Sequence, residues 1–500
     1  MQTLKRLVGS CLVLLLLAPT LWAQRLEDFE KQVTTFSLDN GSTFIVMERH
    51  TAPVVSFLTY ADVGSVNEVK GITGIAHIFE HMAFKGTSRI GTKDYEKEKA
   101  AMEKVDRIFM DLKRERWKGR RADPKRIEEL EKAFQAAQEE AQQYAQSDEW
   151  EAAIERAGSG MLNAQTGADF TQYMVSLPSN KVELWMSLES ERFLDPVLRE
   201  FYKEKDVVME ERRLRRNNPF GRLIEDFLSI AYKAHPYGEP VIGHLSDLQT
   251  ITRQEAQTWF DTHYGANNLT IAIVGDVDPR EIERLARIYF GRLPVRPKPE
   301  PVETVEPKQE GERQCTLVTQ AQPAIFIGYH RPDINDPDDP VFDILTDILG
   351  RGRTSRLYKK LVKEERTAVN TGAFTGLTGM KYPGLFNVYA IAAKDHTNDE
   401  NAALIYAELE RLKREPVTEA ELEKARRRER ADLIRSLNSN LGLARQLAFY
   451  HVVTGDWRNL FQRLEALEAV SAEDIMRVAK EYLVTSNRTI GRLETASQDG

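Results

Sequence analysis

Leu245-Ser246-Asp247-Leu248-Gln249-Thr250-Ile251-Thr252-Arg253-Gln254-Glu255 and, 219 residues later, Leu464-Glu465-Ala466-Leu467-Glu468-Ala469-Val470-Ser471-Ala472-Glu473-Asp474 are two versions of one pattern. In each, leucines lie three apart, a β-branched residue follows, and a hydroxyl residue precedes an acid by three positions. Thr252 with Glu255 reads as a capping box, and Ser471 with Asp474 as its acidic variant. The first copy reads as a helix running to Tyr264. A strand then opens at Asn268-Leu269-Thr270-Ile271, and at Asn487-Arg488-Thr489-Ile490 in the second copy. Each copy closes one half of the chain, so the pattern reads as an internal duplication.

Working outward, residues 293–312 carry prolines at 294, 297, 299, 301 and 307 among charged residues. Repeated proline favours extended backbone over a packed helix. This is the expected linker between a first half over 24–292 and a second over 313–500. Strand-like runs are Thr43–Glu48, Val54–Val63, Phe170–Leu177, Leu269–Val274, Ala324–Tyr329 and Phe386–Ala392, by β-branched and aromatic content with alternation. Helical patterns cover Val182–Phe193, Glu204–Arg216, Pro279–Phe290 and the long stretch Glu419–Tyr450, opened by a capping box at Thr418 and Glu421. The expected class is α+β: two homologous halves, each a mostly antiparallel sheet packed with helices.

Residues 95–147 look inserted into the first half. Apolar residues recur at helical spacing at Met102, Val105, Ile108, Phe109 and Leu112, and again at Ile127, Leu130, Phe134, Ala137 and Tyr144. Gly119, Asp123 and Pro124 mark a turn, with Asp123 as N-cap and Pro124 at the first helical position. A helical hairpin projecting from the body is expected.

The chain has 500 residues, 41% hydrophobic and 29% charged, with a net charge of −8. This mix excludes a disordered chain, and the acidic balance argues against nucleic acid as a partner. Lys5 and Arg6, the apolar run Leu7–Leu17, and Ala18-Pro19-Thr20-Leu21-Trp22-Ala23 read as a secretory signal peptide over 1–23. No later stretch is long enough to span a membrane, so an exported chain is expected, with the periplasm the best fit. Of two cysteines, Cys11 leaves with the signal and Cys315 has no partner. A metal would therefore be held by histidine and carboxylate.

His77-Ile78-Phe79-Glu80-His81 supplies such a set. On a helix, positions i and i+4 share a face, so two imidazoles can hold one zinc ion. Glu80 lies about 100° around the helix from His81 and can take a proton from a water whose pKa the zinc lowers. The order is that of an inverted zincin. A third protein ligand is needed, and Glu200, Glu204, Glu210 and Glu211 are candidates. Glu204 and Glu211, seven apart, share a helix face.

The flanks resemble the pitrilysin/insulinase family of zinc peptidases, closest to the branch that includes mitochondrial processing peptidases and bacterial relatives. The resembling blocks are Val63-Gly64-Ser65-Val66-Asn67-Glu68, Gly71 through Thr87, Asn163-Ala164-Gln165-Thr166 and Phe170-Thr171-Gln172-Tyr173. The resemblance implies two homologous halves enclosing a chamber and one zinc per chain. It assigns Glu211 as third ligand and Glu204 as its support, with Glu210 turned to solvent or to Arg213. It also implies that Asn163, Ala164, Gln165 and Thr166 pair with an extended substrate. The alternation of Phe170–Leu177 suits a sheet edge.

One departure stands out. The family's second half supplies an Arg and, seven residues later, a Tyr that bind substrate and oxyanion; here Val362 and Val369 occupy those positions. Lys363 or Arg366 are nearby substitutes. The reading is a zinc endopeptidase with Glu80 as general base, completed by a homologous partner chain or by a second copy. The alternative is a zinc-binding, catalytically weak assembly subunit.

Overall fold

The computed structural model describes residues 29–496. The signal-peptide reading lies outside the described residues. Among them, no helix is long and apolar enough to cross a membrane.

The first sheet has six strands: β1 (Val33–Ser37), β2 (Thr43–Glu48), β3 (Val54–Ala61), β4 (Met161–Thr166), β5 (Thr171–Pro178) and β6 (Leu269–Gly275), in the order β1-β2-β6-β3-β5-β4. The second has β7 (Arg313–Thr319), β8 (Ala324–Arg331), β9 (Ala368–Phe374), β10 (Gly384–Ala392) and β11 (Arg488–Thr495), in the order β7-β11-β8-β10-β9. Leaving out β1, the two orders coincide. Each has one parallel pair, β2 with β6 and β7 with β11, and every other pair is antiparallel. No helix or strand lies between Arg292 and Arg313.

The helices of the first half are α1 (Ile75–Met82), α2 (Tyr95–Trp117), α3 (Pro124–Gln142), α4 (Glu149–Arg156), α5 (Val182–Leu194), α6 (Phe201–Asn217), α7 (Pro219–Ala231), α8 (Leu245–Thr250), α9 (Arg253–His263) and α10 (Pro279–Tyr289). Those of the second are α11 (Asp339–Gly350), α12 (Asn398–Arg414), α13 (Glu419–Ser436), α14 (Asn440–Thr454), α15 (Asn459–Ala469) and α16 (Ala472–Tyr482).

Four expectations change. The helix expected from Leu245 to Tyr264 is two, because the Thr252–Glu255 capping box starts a new helix at Arg253 instead of sitting inside an old one. The stretch Glu419–Tyr450 is likewise two helices, since the Ser439 hydroxyl accepts from the Gly442 N–H at 3.0 Å and caps α14. β5 is not an edge: it lies between β3 and β4, and the edge on that side of the sheet is β4. The hairpin of α2 and α3 does not project freely. Phe109 and Phe134 lie 4.4 and 5.2 Å from the Tyr202 ring of α6, and Asp106 pairs with Arg253 at 2.5 Å. Toward its tip the packing opens, with Trp117 72% exposed.

The halves exchange helices. Alternate residues of β3, Val55 and Phe57, face a core shared with α1, whereas Leu58 and Tyr60 face Leu443, Ala444, Leu447 and Ala448 of α14, from the second half. In return, Leu223, Phe227 and Ala231 of α7 cover Ala324 and Phe326 on the second sheet. Gly328 makes room for this crossing, since a Cβ there would lie 2.6 Å from the Phe227 ring. A second seam joins the halves beside β4: buried Asp169 accepts from Tyr237 Oη at 2.6 Å and from the N–H groups of Met380 and Lys381 at 2.7 and 3.0 Å.

Candidate active site

α1 carries the His77–His81 motif and starts at Gly74, which has φ of 88° and no side chain to cap the helix. Glu68 does that work: its carboxylate accepts from the N–H of Gly74 at 2.7 Å and of Ala76 at 2.9 Å. Burial pushes the Glu68 carboxyl up to about 8, against the pull of those two N–H groups. Asp247 fixes the approach to the helix, accepting from Gly71 N, Thr73 N and Thr73 Oγ1. On the core side, Phe79 packs against Phe260 and Tyr264 at 5.2 and 4.4 Å. Helix position and rotation are thereby set, and His77 and His81 turn toward α6.

α6 is anchored as firmly. Buried Lys205 donates to the carbonyls of Gln249 and Ile251, and Arg199, just before the helix, pairs with Glu98 at 2.8 Å. This brings Glu211 to the histidines: its Oε2 lies 3.6 Å from His77 Nε2 and 4.0 Å from His81 Nε2. Among the described residues, His77, His81 and Glu211 form the one group whose donor atoms all lie within 4.8 Å of one another in a way that suits a metal ion. Two imidazole nitrogens and a carboxylate oxygen are a zinc donor set with a position left over.

The protonation states agree. Burial, then the neighbouring His81, lowers His77 to about 4, so its ring is neutral and able to ligate at pH 7. Its buried Nδ1 has no hydrogen-bond partner. For His81, burial works downward, but Glu204, Glu80 and Glu211 outweigh it and raise the value. Glu204 Oε2 lies 3.5 Å from His81 Nδ1, and its Oε1 lies 2.6 Å from Lys85 Nζ. Glu210 pairs with Arg213 on the outer face, as expected. Arg215, unforeseen, holds the other oxygen of Glu211 at 2.5 Å.

Glu80 points to β4, where Thr166 Oγ1 donates to its Oε2 at 2.6 Å. Burial raises the Glu80 carboxyl above its ordinary value, and the Thr166 bond opposes this. β4 pairs only with β5, so its other edge is open; Asn163 and Gln165 are exposed along it. Val362 packs against the second core, and Val369 is 53% exposed on β9, the other sheet's edge. Neither side chain carries a hydrogen-bonding group. Lys363 and Arg366 are exposed. Sequence reasoning missed Glu68 and Lys85 because their partners lie across loops or helices, and it missed Arg215 although its i,i+4 spacing from Glu211 was a local signal. It named Thr166 for its strand and not for its bond to Glu80.

A half-buried metal-type triad on two packed helices, with a carboxylate and an open strand edge beside it, defines the class of a zinc-peptidase fold. The family comparisons agree. The model described as Insulinase (Peptidase family M16) matches residues 44–105 and 135–244, leaving out the outer part of the hairpin, and that described as Peptidase M16 inactive domain matches 250–429. The chain belongs to the insulinase family of peptidases, family M16. The zinc protease PqqE of Helicobacter pylori is 28% identical, over 97% of this chain and 98% of that one. The mitochondrial-processing peptidase subunit beta of Lentinula edodes is 24% identical, over 89% and 86%. The crystal structure of a protease from Helicobacter pylori superposes with a TM-score of 0.76 at 25% identity, covering 92% of this chain and 99% of that one. The fold is also that of the periplasmic protease PqqL of Escherichia coli, with a TM-score of 0.69 at 17% identity; there the match covers 47% of the longer chain.

Proposed function

We propose that this chain is a zinc-dependent endopeptidase acting on peptides or unfolded segments. The observation that carries the reading is the convergence of His77, His81 and Glu211, with Glu80 beside them. Zinc, when bound, supplies Lewis acidity toward a substrate carbonyl and lowers the pKa of water. His77 and His81 ligate through Nε2, and Glu211 through the oxygen that faces them. Glu204 orients His81 and is itself tied by Lys85. Glu80 takes the proton from the attacking water and returns it to the leaving amine. Its raised pKa makes it the stronger base for the first transfer. Asn163–Thr166 offers backbone groups to an extended substrate as an added strand, which reads few side chains and tolerates many sequences.

The site lacks a side-chain donor for the oxyanion at Val362 and Val369. We assign that donor pair to a homologous partner chain, and we place the exported pair in the periplasm on the strength of residues 1–23. The test is turnover of a quenched fluorescent peptide by the zinc-loaded mature chain, alone and with candidate partners, with Glu80→Gln as control. Glu80→Gln should retain zinc and lose cleavage, and near-parental turnover would sink the assignment. Zinc binding without turnover in any pairing would favour the assembly-subunit reading, for which the two valines are the supporting observation.

A further inference from the structure

The repeat gives the metal cleft a counterpart. α1 follows β3 and packs on α6; α11 follows β8 and packs on α13. In the second cleft Asp343 and Asp347, one turn apart on α11, stand where a helix presents paired side chains. Guanidiniums meet them: Arg463 lies 2.5 Å from Asp343 and Arg428 lies 3.2 Å from Asp347, which is 1% exposed. Positive charge is built into this seam by side chains.

The positive charge continues outward. A cavity of about 530 Å³ opens here, lined by Arg351, Lys424, Arg427, Arg428 and Arg435 together with Gly352 and Ala431, and by no carboxylate. Residues 424, 427, 428, 431 and 435 fall on one face of α13. Ala431, small and central, leaves the space. Some of the charge is answered from behind: Arg351 pairs with Glu429 at 3.1 Å and with Asp432, and Arg435 with Asp432. Arg428 is answered by Asp347, and the charges farther out are held more loosely. Arg427 is 78% exposed, and its ion pair with Glu423 is 3.5 Å long. Lys424 meets the hydroxyl of Thr354 at 2.5 Å and not an acid. Burial, then Arg428 and Lys359, lowers its ammonium below the ordinary value, with Asp347 and Glu421 opposing. Beyond Arg351, the adjoining segment 350–366 adds six cations against two carboxylates, on a chain whose net charge is −8.

We propose that this cationic face of α13 is a substrate subsite that binds an acidic run of the peptide. The proposal rests on the peptidase reading and names its substrate class. From 424 to 435 the face is about 16 Å long at 1.5 Å per residue. That length matches about five residues of extended chain at roughly 3.3 Å each. A peptide is favoured over a compact anion because the cations form a line and because the seam is the repeat's counterpart of the metal cleft.

The test uses the full mature chain bearing Glu80→Gln and two labelled decapeptides that differ only in five central Glu or Gln residues. At low ionic strength the Glu peptide should bind about tenfold tighter, with the advantage shrinking as salt rises. Arg427→Glu with Lys424→Gln should abolish the advantage and leave Gln-peptide affinity unchanged. Arg427→Gln alone, at an exposed position, should reduce it severalfold and serves if the double variant fails to fold. Equal affinities in the parent, or an advantage that survives the double variant, would overturn the proposal. So would loss of the advantage to low-millimolar phosphate at constant ionic strength, which would mark a phosphate site. Cleavage of the Gln peptide by the chain with Glu80 intact reads the peptidase assignment separately. Turnover without acidic preference removes the subsite alone; Arg427-dependent binding without turnover removes the peptidase reading alone.

Discussion

Glu204→Gln keeps the shape of the side chain and removes its charge. Its Oε2 faces His81 Nδ1 at 3.5 Å, and its Oε1 faces Lys85 Nζ at 2.6 Å. Burial opposes ionisation, but His81 and Lys85 outweigh it and hold the carboxyl at about 2, against 4.5 ordinarily. That gap corresponds to about 3 kcal/mol favouring the charged form, at about 1.4 kcal/mol per tenfold. Lys85 takes part of it. The share that orients His81 falls within the 10–100-fold range typical of a histidine's outer partner in metal sites. The expected result is a loss of about 30-fold in zinc affinity, or about 2 kcal/mol, measured by titration against a competing chelator. Affinity within twofold of the parent would refute the reasoning. Stability gives a second reading. A carboxyl with a depressed folded value stabilises the fold above its unfolded value of 4.5 and loses that contribution as pH falls toward 2. The stability gap between the metal-free parent and Glu204→Gln should therefore narrow from about pH 5 to about pH 3. A constant or widening gap would mean that Glu204 is not held ionised by these partners.

Other expectations are simpler. Thr166→Val removes the donor to Glu80; kcat should fall about tenfold with zinc content unchanged, and Thr166→Ser should restore it. A Val variant as fast as the parent would show that the bond is idle. Asp169→Asn leaves N–H groups of the second half without their charged acceptor, so urea unfolding should show a loss of about 2–4 kcal/mol; less than about 0.5 would place the seam's strength elsewhere. Leu447→Ala should cost about 2–5 kcal/mol and speed amide exchange in β3 and β6, although the residue belongs to the other half. Faster exchange confined to 440–454 would contradict the exchanged packing.

The parts legible in the sequence are those written in local spacing. His77 and His81 are four apart on one helix, so their convergence needs no tertiary knowledge. The capping boxes at Thr252 and Ser471 and the turn at Asp123-Pro124 are equally local, and each appears in the structure. Glu211 entered through resemblance, because spacing alone left four glutamates open. The Glu68 cap was not legible: it reaches Gly74 and Ala76 across a loop whose path the sequence does not state. The exchange of α7 and α14 was invisible for a deeper reason. Leu443 and Leu447 have the same period whichever sheet they cover, and periodicity reports that a face is buried but not by what. The same limit explains β5. Alternation marks a strand, and only the partner strands decide whether it lies at an edge.

The exchanged helices bear on the chemistry. A sheet with one bare face tends to flex or to pair elsewhere, and its edge is a poor reference for a reaction geometry. Here both faces of the first sheet are covered: α1 on one side brings the histidines, and α14 from the second half closes the other through Leu58, Tyr60, Ala272 and Val274. β4 is then left with one free edge on an otherwise enclosed sheet, tied to Glu80 through Thr166 and to the second half through the turn at Asp169. The open strand, the hydroxyl that meets Glu80 and the seam between the halves are thus consecutive features of one short stretch, 161–169. A displacement of the second half would reach Glu80 through about three residues of backbone. Duplication supplied two similar sheets; the crossing of one helix from each made them a single body in which the sheet behind His77, His81 and Glu211 is packed from the far side by the other half.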